Sequence, residues 1–121
     1  MTVKPALLAA IVTLAAAANA AAQQPDAILQ QCKICHTFDQ GGRTFVGPNL
    51  HGIFGRKAGT APNFNASEAM KNSGIVWSDE TLAKFLRDPK DAVPGNVMSF
   101  PGIPDQAALT AFITRLTQVT Q

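Results

Sequence analysis

At 121 residues, with 46% hydrophobic residues and 10 Lys and Arg against 8 Asp and Glu, the chain has room for one small domain of low net charge. It has no Lys/Arg run, which leaves no phosphate-binding stripe and no nucleic-acid module. Its two cysteines, Cys32 and Cys35, are too close for a useful staple, because a bridge between them would restrain the unfolded chain little.

The first segment sets Lys4 before an apolar run from Ala6 to Ala18, and Ala18, Asn19 and Ala20 fit an A-x-A cleavage site. The expectation is a signal peptide over residues 1–22, cleaved after Ala20 or Ala22, and one domain over 23–121. An uncleaved anchor is the competing reading, although a stretch this short and Ala-rich inserts weakly. Loss of Lys4 leaves nine Lys and Arg against eight Asp and Glu, so the mature domain is close to neutral.

From Pro25 to about Phe38, Ile28, Cys32 and Cys35 recur at helical spacing, and Gly41 and Gly42 are expected to end that helix. Residues 41–64 are rich in Gly and Pro and predict a long loop. Asn65, three residues before Glu68, has capping-box spacing and predicts a short helix closing at Gly74. Ser78 is an N-cap for a helix that Asp79 and Glu80 suit at its positive end and Pro89 stops after Asp88. Residues 89–104 form a second irregular run, unusually apolar for a loop. A final helix starts near Asp105 and carries the apolar stripe Leu109, Phe112, Ile113 and Leu116. The fold class is all-α, with short helices and long loops. Two apolar loops between short helices need a body to fold around, and a bound prosthetic group supplies one.

"CKICH", residues 32–36, concentrates the chemistry. Zinc requires four ligands, and beyond Cys32, Cys35 and His36 the chain offers only His51 and acids, with no second paired motif. A thioredoxin-type dithiol would follow a strand, and no strand-like alternation precedes Cys32. Covalent haem attachment uses C-x-x-C-H directly: each thiol adds to one vinyl group and the histidine turns its imidazole onto the iron. Met98, in a loop whose course Pro94, Gly95 and Pro101 restrict, suits the sixth position, and a thioether there favours electron transfer. Met70, in a helical stretch, is read as packing.

The ordered set CKICHTF, GPNLHGIFGRKAGTAP, MKNSGIVWSDETLAKFLRDPKDAVPGNVMSFPGI and the last helix resembles the class I c-type cytochromes, the branch of mitochondrial cytochrome c and its bacterial relatives, from Cys32 to about Leu116. The resemblance implies one covalent haem c, with thioethers at Cys32 and Cys35 and iron ligands His36 and Met98. It further implies that the Pro48 carbonyl accepts from His36 Nδ1, that Trp77 and Arg56 face the haem propionates, and that Phe100 shields the exposed haem edge. It places a small monomeric carrier in the periplasm, passing single electrons between donor and acceptor redox proteins (a cytochrome complex, oxidase, reductase or dehydrogenase) and not acting as an enzyme. The rival is a haem protein that binds or reduces peroxide, CO or NO at the sixth position.

Departures from the family pattern are specific. Gln24 and Ile28 stand where a glycine and an aromatic usually pack against the last helix. Phe85 replaces a tyrosine whose hydroxyl bonds the axial sulfur, and Ala66 and Met70 replace polar residues near the haem. Gln31, Asp91 and Val97 thin the lysines of the docking face, while Lys33, Lys57 and Lys90 remain.

Overall fold

Five helices and the loops between them make up residues 24–121, the part that the structure, a computed structural model, describes; the leader expected over residues 1–22 lies outside it. Helix α1 runs through residues 24–32, α2 is Glu68–Lys71, α3 is Asp79–Arg87, α4 is Pro89–Ala92 and α5 is Gln106–Val119. Among the described residues the one β-type pairing is an isolated antiparallel bridge between Lys57 and Val76. No described helix is long and apolar enough to cross a membrane.

The two longest helices meet at the centre. Helix α3 is nucleated by Ser78, whose hydroxyl accepts the Thr81 N–H while the Thr81 hydroxyl accepts the Ser78 N–H at 2.8 Å, closing a reciprocal cap. It buries Leu82, Phe85 and Leu86. Helix α5 starts where Asp105 accepts the Ala108 N–H at 2.8 Å and buries Leu109, Phe112, Ile113 and Leu116, the stripe that its periodicity predicts. These faces pack together, with Leu29 of α1, Trp77 and Ile103 in the same cluster. Side chains as deeply buried as Leu109 and Phe112 each contribute about 1.5–3 kcal/mol. Arg115 of α5 pairs with Asp26 of α1 at 2.6 Å across the outside of this core.

Three helix boundaries differ from the sequence expectation. Helix α1 ends at residue 32 rather than near Phe38: Cys35 N–H donates to Cys32 O at 3.1 Å, three residues back, and Gly47 N–H takes the Cys35 carbonyl at 2.8 Å. Once a loop amide occupies that carbonyl the helix has no reason to propagate. Helix α2 is capped by Ser67, whose hydroxyl accepts the Met70 N–H at 3.2 Å, and not by Asn65, which instead accepts from Lys71 Nζ at 3.0 Å. Pro89 does end α3, but it also opens α4 at the first helical position, where its missing N–H costs nothing. Asp88 serves both helices, as C-cap of α3 and as N-cap of α4.

The long loop is stitched down by its backbone. Leu50 N–H donates to Thr37 O, Gly52 N–H to Thr120 O, Gly55 N–H to Trp77 O and Ala58 N–H to Ile75 O, all within 2.6–2.8 Å. Without regular structure these groups would be left unpaired, and such cross-links fix where the loop's side chains stand.

Candidate functional site

A cavity of about 360 Å³ opens between the turn after α1, the long loop, α3 and the segment following α4. All eight residues singled out in the sequence line it: Cys32, Cys35, His36, Pro48, Arg56, Trp77, Met98 and Phe100. So do Phe85, Ala66 and Met70, which places a second thioether in the cleft where packing alone was expected.

The helix stop at residue 32 shapes the attachment motif. Cys32 is the last helical residue, while Cys35 and His36 follow in a tightened turn in which His36 N–H donates to Cys32 O at 2.9 Å. That geometry keeps both sulfurs on the cleft side and turns the imidazole inward, so the motif works as a turn rather than as helix. Burial pushes the Cys32 thiol up to about 11, with the neighbouring Cys35 adding to the effect and a backbone hydrogen bond opposing it. A dithiol oxidoreductase needs the opposite, a thiol lowered toward neutrality, and burial moves Cys32 away from it.

His36 is held from both sides. Its Nδ1 donates to the Pro48 carbonyl at 2.7 Å, which leaves Nε2 with its free lone pair. Burial lowers its pKa, against a smaller opposing pull from the Pro48 hydrogen bond, so the neutral ligating form is favoured. Gly47 lies flat on the imidazole: a Cβ there would stand 2.4 Å from Cε1. The glycine is therefore required by close approach to the ring, and its φ is not in the left-handed region.

Asn49 organises the next turn. Its Nδ2 donates to Asp39 O and Gly42 O at 2.8 and 2.9 Å, and its Oδ1 accepts the His51 N–H. Arg56 then donates to the carbonyls of Asn49 and His51, at 2.9 and 2.5 Å. The guanidinium is partly buried, burial lowers its pKa, and it forms no ion pair with a carboxylate among the described residues. An arginine stays cationic under such conditions, so an anionic group in the cleft would complete it. Trp77 is buried with its ring 5.2 Å from that of Phe85, the planes tilted by 57°, and the two form one apolar wall.

Two residues that the sequence reading passed over belong to the site. Gly47 was legible only as part of a Gly-rich loop, since nothing local announces the histidine above it. Asn96 is buried beside Met98 and accepts that residue's N–H at 3.0 Å. An Asn two residues ahead of a candidate ligand has the spacing of an Asx turn, and that signal was available in "PGNVM".

The cleft fits a haem. Its walls are apolar, two thiols and an imidazole stand at one side, a thioether stands in the segment that closes it, and an uncompensated cation lies at its edge. Among the described residues there is no group of three or more His, Cys, Asp or Glu that could hold a bare metal ion.

No family model matches the chain. It is similar to cytochrome c2 of Blastochloris viridis, 41% identical over 112 residues that cover 93% of this chain and 87% of that protein. Cytochrome c2 of Rhodomicrobium vannielii is 40% identical over 116 residues, covering 92% and 93%. Cytochrome c of Sesamum indicum is 41% identical over 90 residues, covering 72% and 81%. Likeness of this extent, together with an attachment turn and a cleft shaped for the prosthetic group, means that the chain belongs to the class I c-type cytochromes, the proteins that hold haem c covalently.

Proposed function

We propose that the chain carries single electrons between larger redox proteins, on one haem that Cys32 and Cys35 would hold covalently and whose iron His36 and Met98 would ligate. When bound, haem c supplies a one-electron iron couple. The observation that carries the reading is the convergence of two thiols, a fixed neutral imidazole and a thioether on one apolar cleft.

The chain's own residues divide the remaining work. Pro48 orients His36 through Nδ1, and Gly47 sets how far the ring can swing. Met98 would ligate the iron where a small ligand would otherwise bind, which favours a carrier over a peroxide-, CO- or NO-binding protein. Arg56 offsets the propionate charge, and Trp77, Phe85 and Phe100 keep water out of the cleft. Residues 1–22 act as an export leader, cleaved after Ala20 or Ala22, that delivers the domain to the periplasm, where it meets its donor and acceptor.

The test is spectroscopic. After acid–acetone extraction the reduced-minus-oxidised visible spectrum should stay with the polypeptide, and ferrous protein at neutral pH should ignore CO. A spectrum lost on extraction would end the covalent reading. A prompt CO shift would move the function to the ligand-binding rival.

A further inference from the structure

Asn96 is unusual among the described residues in being a polar side chain that is only 4% exposed. A buried amide is tolerated only when its hydrogen bonds are made, and here they are. Its Nδ2 donates to Pro89 O at 2.7 Å and to Val93 O at 2.8 Å, while its Oδ1 accepts the Met98 N–H at 3.0 Å. Two further bonds tighten the same segment: Asn96 N–H donates to Val93 O at 3.0 Å, and Lys90 Nζ donates to Asn96 O at 2.8 Å.

These partners belong to one element. Pro89 opens α4, Val93 caps its end, and Lys90 lies within it. Helix α4 is packed in turn on α3, which forms the centre of the core. A chain of rigid contacts therefore runs from α3 through α4 and the Asn96 amide to the backbone of Met98. Val97, between the two anchored residues, is 74% exposed. Phe85, which lines the same cleft, has no hydroxyl to offer the sulfur, so the directional hold comes from the backbone side.

We propose that Asn96 is a positioning residue for the Met98 thioether: its buried amide ties the Met98 backbone to α4 and so sets where the sulfur stands in the cleft. The proposal rests on the reading of Met98 as an iron ligand. It assigns the stability of the sixth-ligand bond to a side chain whose polar atoms are engaged by backbone groups of α4, its C-cap Val93 and Met98.

Wild type, Asn96→Ala, Asn96→Thr and Leu109→Ala are prepared as ferric holoproteins and heated while the far-red sulfur-to-iron charge-transfer band and the far-ultraviolet circular dichroism are followed together. In Asn96→Ala the band should disappear well below the temperature at which the helices melt, with the fraction of molecules lacking it before melting raised roughly ten- to a hundredfold, the effect of losing a buried hydrogen-bond group. Asn96→Thr, whose hydroxyl can still accept the Met98 N–H, should recover part of that loss. Leu109→Ala removes core packing on α5 and should shift both signals together.

Coincident loss of the two signals in Asn96→Ala, as in Leu109→Ala, overturns the proposal. If Asn96→Ala yields no holoprotein, the Thr variant and amide exchange decide: a Met98 N–H that exchanges as fast in wild type as that of Val97 also overturns it. A wild type without the sulfur band refutes the ligand assignment of Met98 itself, an outcome separate from any effect of Asn96.

Discussion

Replacing Gly47 by alanine tests how the proximal side of the cleft is built. The added Cβ would stand 2.4 Å from His36 Cε1, 2.8 Å from Nδ1 and 2.9 Å from Nε2, so it presses on the ring rather than on a flexible tail. The imidazole or the loop must retreat by about 0.6 Å to reach 3.0 Å, and by about 1 Å to reach ordinary contact at 3.4 Å. The 2.7 Å bond from Nδ1 to Pro48 O then stretches toward the limit of a hydrogen bond. Overpacking costs about 1–3 kcal/mol and the weakened bond about 1 kcal/mol more. For a domain near 100 residues this corresponds to a melting temperature lower by roughly 10–25 °C. Gly41→Ala is the matched comparison: no atom lies within 4 Å of its Cβ, but φ is +73°, so it carries backbone strain alone, about 1 kcal/mol. Thermal unfolding of the holoproteins, followed by circular dichroism and by the haem absorption, should rank Gly47→Ala far below Gly41→Ala. Equal melting temperatures, or a Gly47→Ala protein within about 2 °C of wild type, would refute the close-approach argument.

Further outcomes follow from the same geometry. Cys32→Ala and Cys35→Ala should each accumulate little red protein on export, because one thioether attaches the haem inefficiently; normal yields of folded holoprotein from both would contradict this. Electron transfer to a physiological partner should fall only weakly with added salt, since residues 24–121 carry nine Lys and Arg against eight Asp and Glu, and Ile34, Val46 and Val97, which border the cleft, are 68%, 69% and 74% exposed. A steep decline in the second-order rate, measured by stopped flow across ionic strengths, would show that charge governs docking after all. Arg115→Ala should cost no more than about 1 kcal/mol by denaturant titration, because its 2.6 Å pair with Asp26 is partly solvent-exposed and screened.

The residues whose chemistry depends on type and spacing were legible in the chain, and those that depend on what lies opposite were not. CKICH, GPNL, Trp77 and PGNVM all mark residues that line one cleft, and Ser78 and Asp105 cap helices where their side chains predict. The end of α1 was misplaced because the competitor for the Cys35 carbonyl, Gly47 N–H, comes from 12 residues further on. Helix α4 was missed because a proline read as a stop is also a favoured first residue, and four residues show no periodicity. The Asn65 cap failed locally: Ser67 stands nearer the first helical residue, and its hydroxyl reaches the Met70 amide. Asn49 was invisible for another reason, since an asparagine in a loop looks solvated until its partners are known.

The cleft is not a socket in the side of a finished protein. Leu82, Phe85, Leu86, Phe112 and Leu116 belong to the central cluster and also face the cavity, so one set of side chains serves as interior and as binding wall. A chain that never receives its prosthetic group leaves those surfaces to water and opens readily, and open chains are what proteases cut. Susceptibility to proteolysis would then separate empty chains from loaded ones.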